Sequence, residues 1–212
     1  MKPLVLAVDT TSEYGSIALN GDAVALHSPS GFAHVIYPHI RELLDRSGVT
    51  LAEIDCFAAA SGPGSFTGVR VGLACIKGLA EAAGKPAVAV SNLEALATFG
   101  SAPLRAVLLD ARRGDVYGAV YDAEGRVVVA ETVSKLPEWL ASLPAGVEFI
   151  STGFDAFGDA LPAGPRVTVP PVLAGAIARI AADRLARGEA CDPAALDANY
   201  VRRSDAELFW RE

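Results

Sequence analysis

A surplus of positive charge is the first thing this sequence lacks. Eighteen lysines and arginines stand against 25 aspartates and glutamates, so the 212-residue chain carries a formal charge of −7. That excludes a broad basic face of its own for nucleic acid, and any role with RNA would need a basic partner. Cysteine is scarce as well. Cys56, Cys75 and Cys191 are odd in number, far apart and set among apolar residues, which predicts buried free thiols rather than disulfides or a metal knuckle. No purely apolar run of about 18 residues occurs, so no membrane partner is expected. Residues 1–20 lack the basic start, apolar run and small-residue site of a secretory leader, and the expected location is cytoplasmic. Low-complexity tracts are absent too.

What the chain does have is apolar side chain, 51% of its residues, enough for one large domain or two small ones. Its organising stretch is Ser61-Gly-Pro-Gly-Ser-Phe-Thr-Gly-Val-Arg-Val-Gly72, which follows an apolar strand at 54–60 and opens a helix capped by Thr67 or Ser65. Gly62, Pro63 and Gly64 permit close backbone approaches, and free N–H groups at a helix start suit an anion. The loop fits neither nucleotide fingerprint. Gly68 is followed by Val69 and Arg70 rather than by Lys-Ser/Thr, and three residues, not two, separate Gly64 from Gly68. A phosphate cradle and a tight strand-to-helix connection both remain open on spacing alone.

The helix that follows is apolar nearly all round. Arg70, Lys77 and Glu81 share one narrow stripe, while Val69, Val71, Leu73, Ala74, Cys75, Ile76, Leu79, Ala80 and Ala82 fill the other faces until Gly84 stops it. Such a helix is central to a large domain, or covered on one side by its sheet and on another by a second chain. The small residues Gly68, Gly72 and Cys75 would admit a close neighbour.

Taken in order, residues 3–8 form a strand ending at Asp9-Thr10-Thr11, and 15–19 and 23–27 form a hairpin turned at Asn20-Gly21-Asp22. Ile36, Ile40, Leu43 and Leu44 mark the buried face of a helix that ends at Gly48 and has Pro38 in its first turn or at a kink. A strand at 87–90 and a short helix at 92–99 follow the central helix. From Leu104 the pattern restarts at an offset of about 101: a strand ending at Asp110, a strand at 116–121, a turn at 122–125 and a third strand at 127–131. A helix at 137–143, strands at 148–151 and 166–169, an Ala/Arg helix at 172–187 and a final turn at 193–200 complete the chain. Two similar α/β halves are expected, 1–102 and 103–212, with the last helices able to pack back on the first. This is the duplicated, ribonuclease-H-like architecture of actin and sugar kinases, here without large inserted subdomains.

Four motifs in order narrow the resemblance. Asp9-Thr10-Thr11, the glycine loop, Asp110-Ala-Arg-Arg-Gly-Asp-Val-Tyr117 and Tyr200-Val-Arg-Arg-Ser-Asp-Ala-Glu207 together resemble the TsaB (YeaZ) family nearly end to end. The resemblance implies a non-catalytic relative of TsaD, the transferase that forms N6-threonylcarbamoyladenosine (t6A) at position 37 of tRNAs reading ANN codons. It implies binding to TsaD, assembly with TsaE, contact with tRNA only through the complex, and a homodimer when alone. Where TsaD-like chains hold a metal with His-Met-Glu-Ala-His, this chain has Asn92-Leu-Glu-Ala-Leu96, so neither metal nor cofactor is expected. The family's helix pair would place Val69, Arg70, Gly72, Leu73, Ile76 and Lys77, with Ile36, Ile40 and Leu44, at the partner interface. Leu73→Arg is then expected to break the complex by burying a charge.

Other readings stay beside this one. Asp9, Thr10, Ser61, Gly62, Gly64 and Ser65 could keep a vestigial nucleotide or phosphate site with weak ATP or ADP binding, as in an actin-like ATPase or sugar kinase. Alternatively, Asp9 and Asp110 hydrogen-bond their own turns. A glycoprotease-type metallopeptidase is opposed by Asn92 and Leu96. His34 and His39, five apart and about 140° around a helix, make a poor shared ligand pair. Arg112-Arg113 and Arg202-Arg203 could be solvated corners, or contacts to a nucleotide, tRNA or TsaE.

Overall fold

The strand β1, Val5–Asp9, has all five residues buried, and the first half of the molecule is built around it. Its run is continuous rather than alternating because both faces of its sheet are covered. In the computed structural model, which describes residues 2–201, β1 pairs antiparallel with β2 (Tyr14–Leu19), and β2 pairs with β3 (Asp22–His27). The helix α1 (Ile36–Ser47) returns the chain to β4 (Cys56–Ala60), parallel to β1. The helix α2 (Phe66–Ala83) then crosses to β5 (Ala87–Val90), parallel to β4. The sheet order is therefore β3-β2-β1-β4-β5, and the short helix α3 (Asn92–Ala97) follows. Pro38 lies in the first turn of α1, where the missing N–H costs nothing. Left-handed Gly48 (φ 63°) and Gly84 (φ 62°) close α1 and α2.

The second half repeats the plan. The strands β6 (Leu104–Asp110), β7 (Asp115–Asp122) and β8 (Val127–Lys135) form an antiparallel meander, and the one-and-a-half-turn helix α4 (Leu136–Ala141) leads to β9 (Glu148–Ser151), parallel to β6. The strand β10 (Arg166–Thr168) completes the order β8-β7-β6-β9-β10. The same path through two mixed five-stranded sheets is the duplicated ribonuclease-H-like, actin and sugar-kinase arrangement expected of the sequence. Trp139 of α4 is buried in the second core and lies over Gly118 of β7. Any Cβ at 118 would enter the indole, so this strand position needs glycine.

By compactness the chain divides into one unit running to Ala95 together with Pro170–Ala198, and another of Leu96–Val169, rejoined at Asn199. The division expected at 102/103 therefore moves to 95/96. The last helix, α5 (Ala174–Ala186), belongs to the first unit, packing on β1, β2, β4 and β5. That return explains why α5 is small-residue rich: Ala174, Gly175, Ala176, Ala178 and Ala181 are all buried against the sheet. No helix among the described residues is long and apolar enough to cross a membrane.

Candidate functional site

The residues singled out around the glycine loop do come together, as a buried polar junction in the first unit. Asp9, Thr10, Thr11, Ser61 and Asn92 are each no more than 6% exposed. An Asp at a strand end accepts readily from the N–H two residues on. Here Asp9 Oδ1 accepts from the Thr11 N–H (2.9 Å) and the Thr11 hydroxyl (2.7 Å). Asn92 ties that turn to the loop, donating through Nδ2 to Thr11 Oγ1 (2.7 Å) and accepting the Gly62 N–H on Oδ1 (3.0 Å). The Ser65 N–H donates to the Thr11 carbonyl at 2.6 Å, and the Thr10 hydroxyl donates to the Gly68 carbonyl at 2.7 Å.

The glycines serve this packing. A Cβ on Gly64 or Gly68 would run into the carbonyl of Thr11 or Thr10, and one on Gly72 would lie 2.7 Å from the Thr10 hydroxyl. Ser65 is the N-cap of α2, its Oγ accepting from the Gly68 N–H at 3.2 Å. The amides of Ser61, Gly62 and Ser65 are spent on Val90, Asn92 and Thr11. These bonds make the loop a tight strand-to-helix connection. The anion cradle would need these N–H groups back. Burial pushes the Asp9 carboxyl above its ordinary value, outweighing the hydrogen bonds from Thr11 and Asn92 that favour its charge.

The partner-facing residues expected on the two helices fall differently. Val69, Gly72, Leu73 and Ile76 of α2 and Ile36, Ile40 and Leu44 of α1 are all buried at 8% exposure or less within this unit. Their large apolar side chains fill the space between helices and sheet, so they are core residues and do not present themselves outward. Buried in this way, these seven leave little of their own surface for a partner. Arg70 does face out, its guanidinium 3.3 Å above the ring of half-exposed Phe66, and the partly exposed Lys77 donates to the Ala194 carbonyl at 3.3 Å. The outward row of α2 is Phe66, Arg70, Ala74 and Gly78, at four-residue spacing. Beside it stands Tyr37 of α1, half exposed and touching the Cys75 thiol. Phe66 and Tyr37 were missed because a wheel ranks apolar positions by size and cannot tell which side the sheet takes. Burial lifts the Cys75 and Cys56 thiols to about 11 each, leaving both as inert core groups at neutral pH.

The helix α3 places Asn92 in the junction, as described, and Leu96 in full burial. Glu94 accepts two hydrogen bonds from Arg184 of α5, at 2.7 and 2.8 Å, while the same guanidinium reaches the Ala89 carbonyl at 2.7 Å. Among the described residues no group of three His, Cys, Asp or Glu side chains could hold a metal ion. His34 is exposed and His39 Nδ1 lies 3.7 Å from Glu42, on the same helix face three residues on. Arg112 and Arg113 sit at the exposed β6–β7 corner, and Arg202 and Arg203 lie outside the described residues.

Residues 29–167 match the family of TsaD, tRNA N6-adenosine threonylcarbamoyltransferase. A tRNA threonylcarbamoyladenosine biosynthesis protein TsaB of Escherichia coli is 38% identical over 57% of this chain and 55% of its own length, and that of Bacillus subtilis is 32% identical over 66% and 65%. The aligned stretch thus spans about half to two thirds of these relatives. Two solved structures from Pseudomonas aeruginosa share the fold. One, described as similar to peptidase YeaZ, superposes with a TM-score of 0.80 at 30% identity over 94% of this chain and 100% of the other. The second, YeaZ itself, gives 0.78 at 31% identity over 93% and 99%.

Proposed function

Because the chain belongs to the TsaD family and, within it, to the TsaB (YeaZ) branch, we propose that it is a non-catalytic accessory subunit of t6A formation at position 37 of tRNAs reading ANN codons. The names of its TsaB relatives support a role in tRNA t6A biosynthesis. The finer parts are our reading: it binds a TsaD-type transferase, supports assembly with TsaE, meets tRNA through that complex and self-associates when alone. The observation that carries the reading is the likeness to the YeaZ-type structures over 93–94% of the chain, beside the family match at residues 29–167.

The non-catalytic part is supported by α3. Where the resemblance puts two metal-binding imidazoles, Asn92 is an amide already committed on both sides and Leu96 is core. Against the ATPase reading, Asp9 is engaged by Thr11, and the Ser61, Gly62 and Ser65 amides by Val90, Asn92 and Thr11. For the partner surface the exposed row Phe66, Arg70, Ala74 and Gly78, with Tyr37, replaces the buried set. It offers two aromatic anchors beside two small residues that allow a helix to approach closely.

The test is threonylcarbamoyl transfer to tRNA by the matching TsaD and TsaE, with and without this chain. Dependence on the chain is expected. Ala74→Arg, on the outward row, should lower co-elution with TsaD and transfer together by ten-fold or more while leaving the melting curve unchanged. Leu73→Arg cannot serve, since it would unfold the first unit. Full transfer without the chain would end the accessory reading, and wild-type co-elution of Ala74→Arg would move the interface elsewhere.

A further inference from the structure

The turn between β6 and β7 contains three successive left-handed residues, Arg112 (φ 66°), Arg113 (φ 57°) and Gly114 (φ 77°). It is closed on itself: the Asp115 N–H donates to the Arg112 carbonyl at 3.0 Å, and the Ala111 N–H to the Asp115 carbonyl at 3.1 Å. Its acids brace it from within. Asp110 Oδ1 accepts the Arg112 N–H at 2.8 Å, and Asp115 pairs at 2.6 Å with Lys135, which also donates to the Arg113 carbonyl at 3.1 Å. Arg112 and Arg113 are exposed, the Arg112 side chain at 87%, with one Asp110 oxygen 3.7 Å from its guanidinium.

Glycine and asparagine occupy such a turn without steric cost, and arginine does not. At the corresponding positions of the first unit, Thr11 is buried and Ser12 exposed, and neither adopts positive φ. A strained pair of long cations on a braced backbone is therefore a feature of this corner and not of the repeated fold.

We propose that the Arg112–Arg113 corner contacts the phosphate backbone of tRNA once the chain is assembled with its transferase partner. This rests on the accessory-subunit reading above. A guanidinium fork matches phosphate oxygens in bidentate fashion, and a backbone already fixed has little left to order on binding. Such contacts set position and register, not sequence. With a net charge of −7 the chain supplies only one or two of these contacts, added to a surface contributed mainly by the partner.

The probe is an unmodified tRNA transcript with adenosine at position 37, titrated by fluorescence anisotropy into the full chain plus its TsaD-type partner across about 50 to 200 mM salt. The double variant Arg112→Gly/Arg113→Asn suits the turn better than the native pair and so remains folded. We expect its complex to bind tRNA roughly 5- to 20-fold more weakly, with the slope of log K against log salt reduced by about 1 to 2, and its melting temperature equal or higher. Arg112→Lys/Arg113→Lys should keep the slope and lose part of the affinity. Unchanged affinity and slope in the first variant would overturn the proposal, as would a wild-type complex that binds tRNA no better than the partner alone. Loss of co-elution with the protein partner in the absence of tRNA would overturn it in favour of an acidic protein surface. Transfer activity is scored separately: chain-independent transfer removes the accessory reading, whereas chain-dependent transfer with intact tRNA binding in the variant removes only the corner.

Discussion

The two halves of this molecule pass through the same acidic corner and treat it in opposite ways. In each, the first strand ends in an Asp whose Oδ1 accepts the N–H two residues on, 2.9 Å for Asp9 and Thr11, 2.8 Å for Asp110 and Arg112. That much is local chemistry, and it survived duplication. What differs is the segment after the fourth strand. In the first half β4 runs through the glycine loop into the 18 residues of α2, and that loop seats on Thr10 and Thr11. In the second half β9 runs into a short 3-10 segment, Asp155–Ala160, before β10, and the corner is exposed. A turn that is to be covered can leave its carbonyls for the cover, as Thr11 does for Ser65. A turn left exposed closes on its own carbonyl, as Arg112 does with Asp115, and needs left-handed residues to do it.

The largest way to break this contrast is at the seat. Gly68→Ala places a methyl against the Thr10 carbonyl, which is held from the other side by β1, so the helix start must shift. A loss of about 3 kcal/mol in urea unfolding is expected, near the upper end for overpacking. Gly78, ten residues along the same helix, has nothing within 4 Å of a built Cβ, and Gly78→Ala should instead stabilise by about 0.5–1 kcal/mol. Two glycine-to-alanine changes of opposite sign on one helix separate close approach from helix propensity. Similar small effects at both positions would mean the loop is not seated as described.

Next in size is Asn92→Ala. It removes the acceptor of the Gly62 N–H and the donor to the Thr11 hydroxyl, both buried, and should cost about 2–3 kcal/mol. The second half has no comparable tether between loop and corner among its described hydrogen bonds, so the loss should fall on the first unit alone. Hydrogen exchange would locate it there, on β1 and β4 rather than β6 and β9. Protection lost equally in both sheets would count against a private junction.

The same contrast explains what could and could not be read from the chain. The repeat was legible because strand, acidic corner and hairpin are local patterns, and the offset of about 101 does align Asp9 with Asp110. The stop of α2 at Gly84 was legible for the same reason, and its cap was narrowed to Thr67 or Ser65, of which Ser65 is the one used. The seat was not. Thr10 and Gly68 are 58 residues apart in sequence, and a loop that spares room for a neighbouring carbonyl has the same glycines as one that spares room for a phosphate. The facing of α1 and α2 was half legible: periodicity marked Ile36 and Ile40 as buried, but nothing in the sequence showed that Leu73 and Ile76 are buried within their own unit. Arg112 and Arg113 gave no sign of left-handed backbone, because Arg is among the last residues one would place there.

The smallest effect is electrostatic. The Asp9 carboxyl, with its Thr11 and Asn92 partners, is held above its ordinary value of 3.8 chiefly by burial. A carboxyl raised in the fold binds its proton more tightly folded than unfolded. Its contribution to stability is therefore complete below pH 3.8 and is lost as pH rises through the raised value. Asp9→Asn keeps an oxygen for the Thr11 N–H and hydroxyl and cannot ionise. The difference in unfolding free energy between Asp9→Asn and the native chain should accordingly grow in favour of the variant as pH rises from below 3.8 through the raised value, as urea unfolding across that range would show. Taking the difference matters, because exposed carboxyls held low by their hydrogen bonds, such as Glu53 and Glu189, give the native chain a slope of the opposite sign that cancels between the two proteins. A flat difference would mean that solvent reaches Asp9, and that the first corner is covered less completely than its glycines imply.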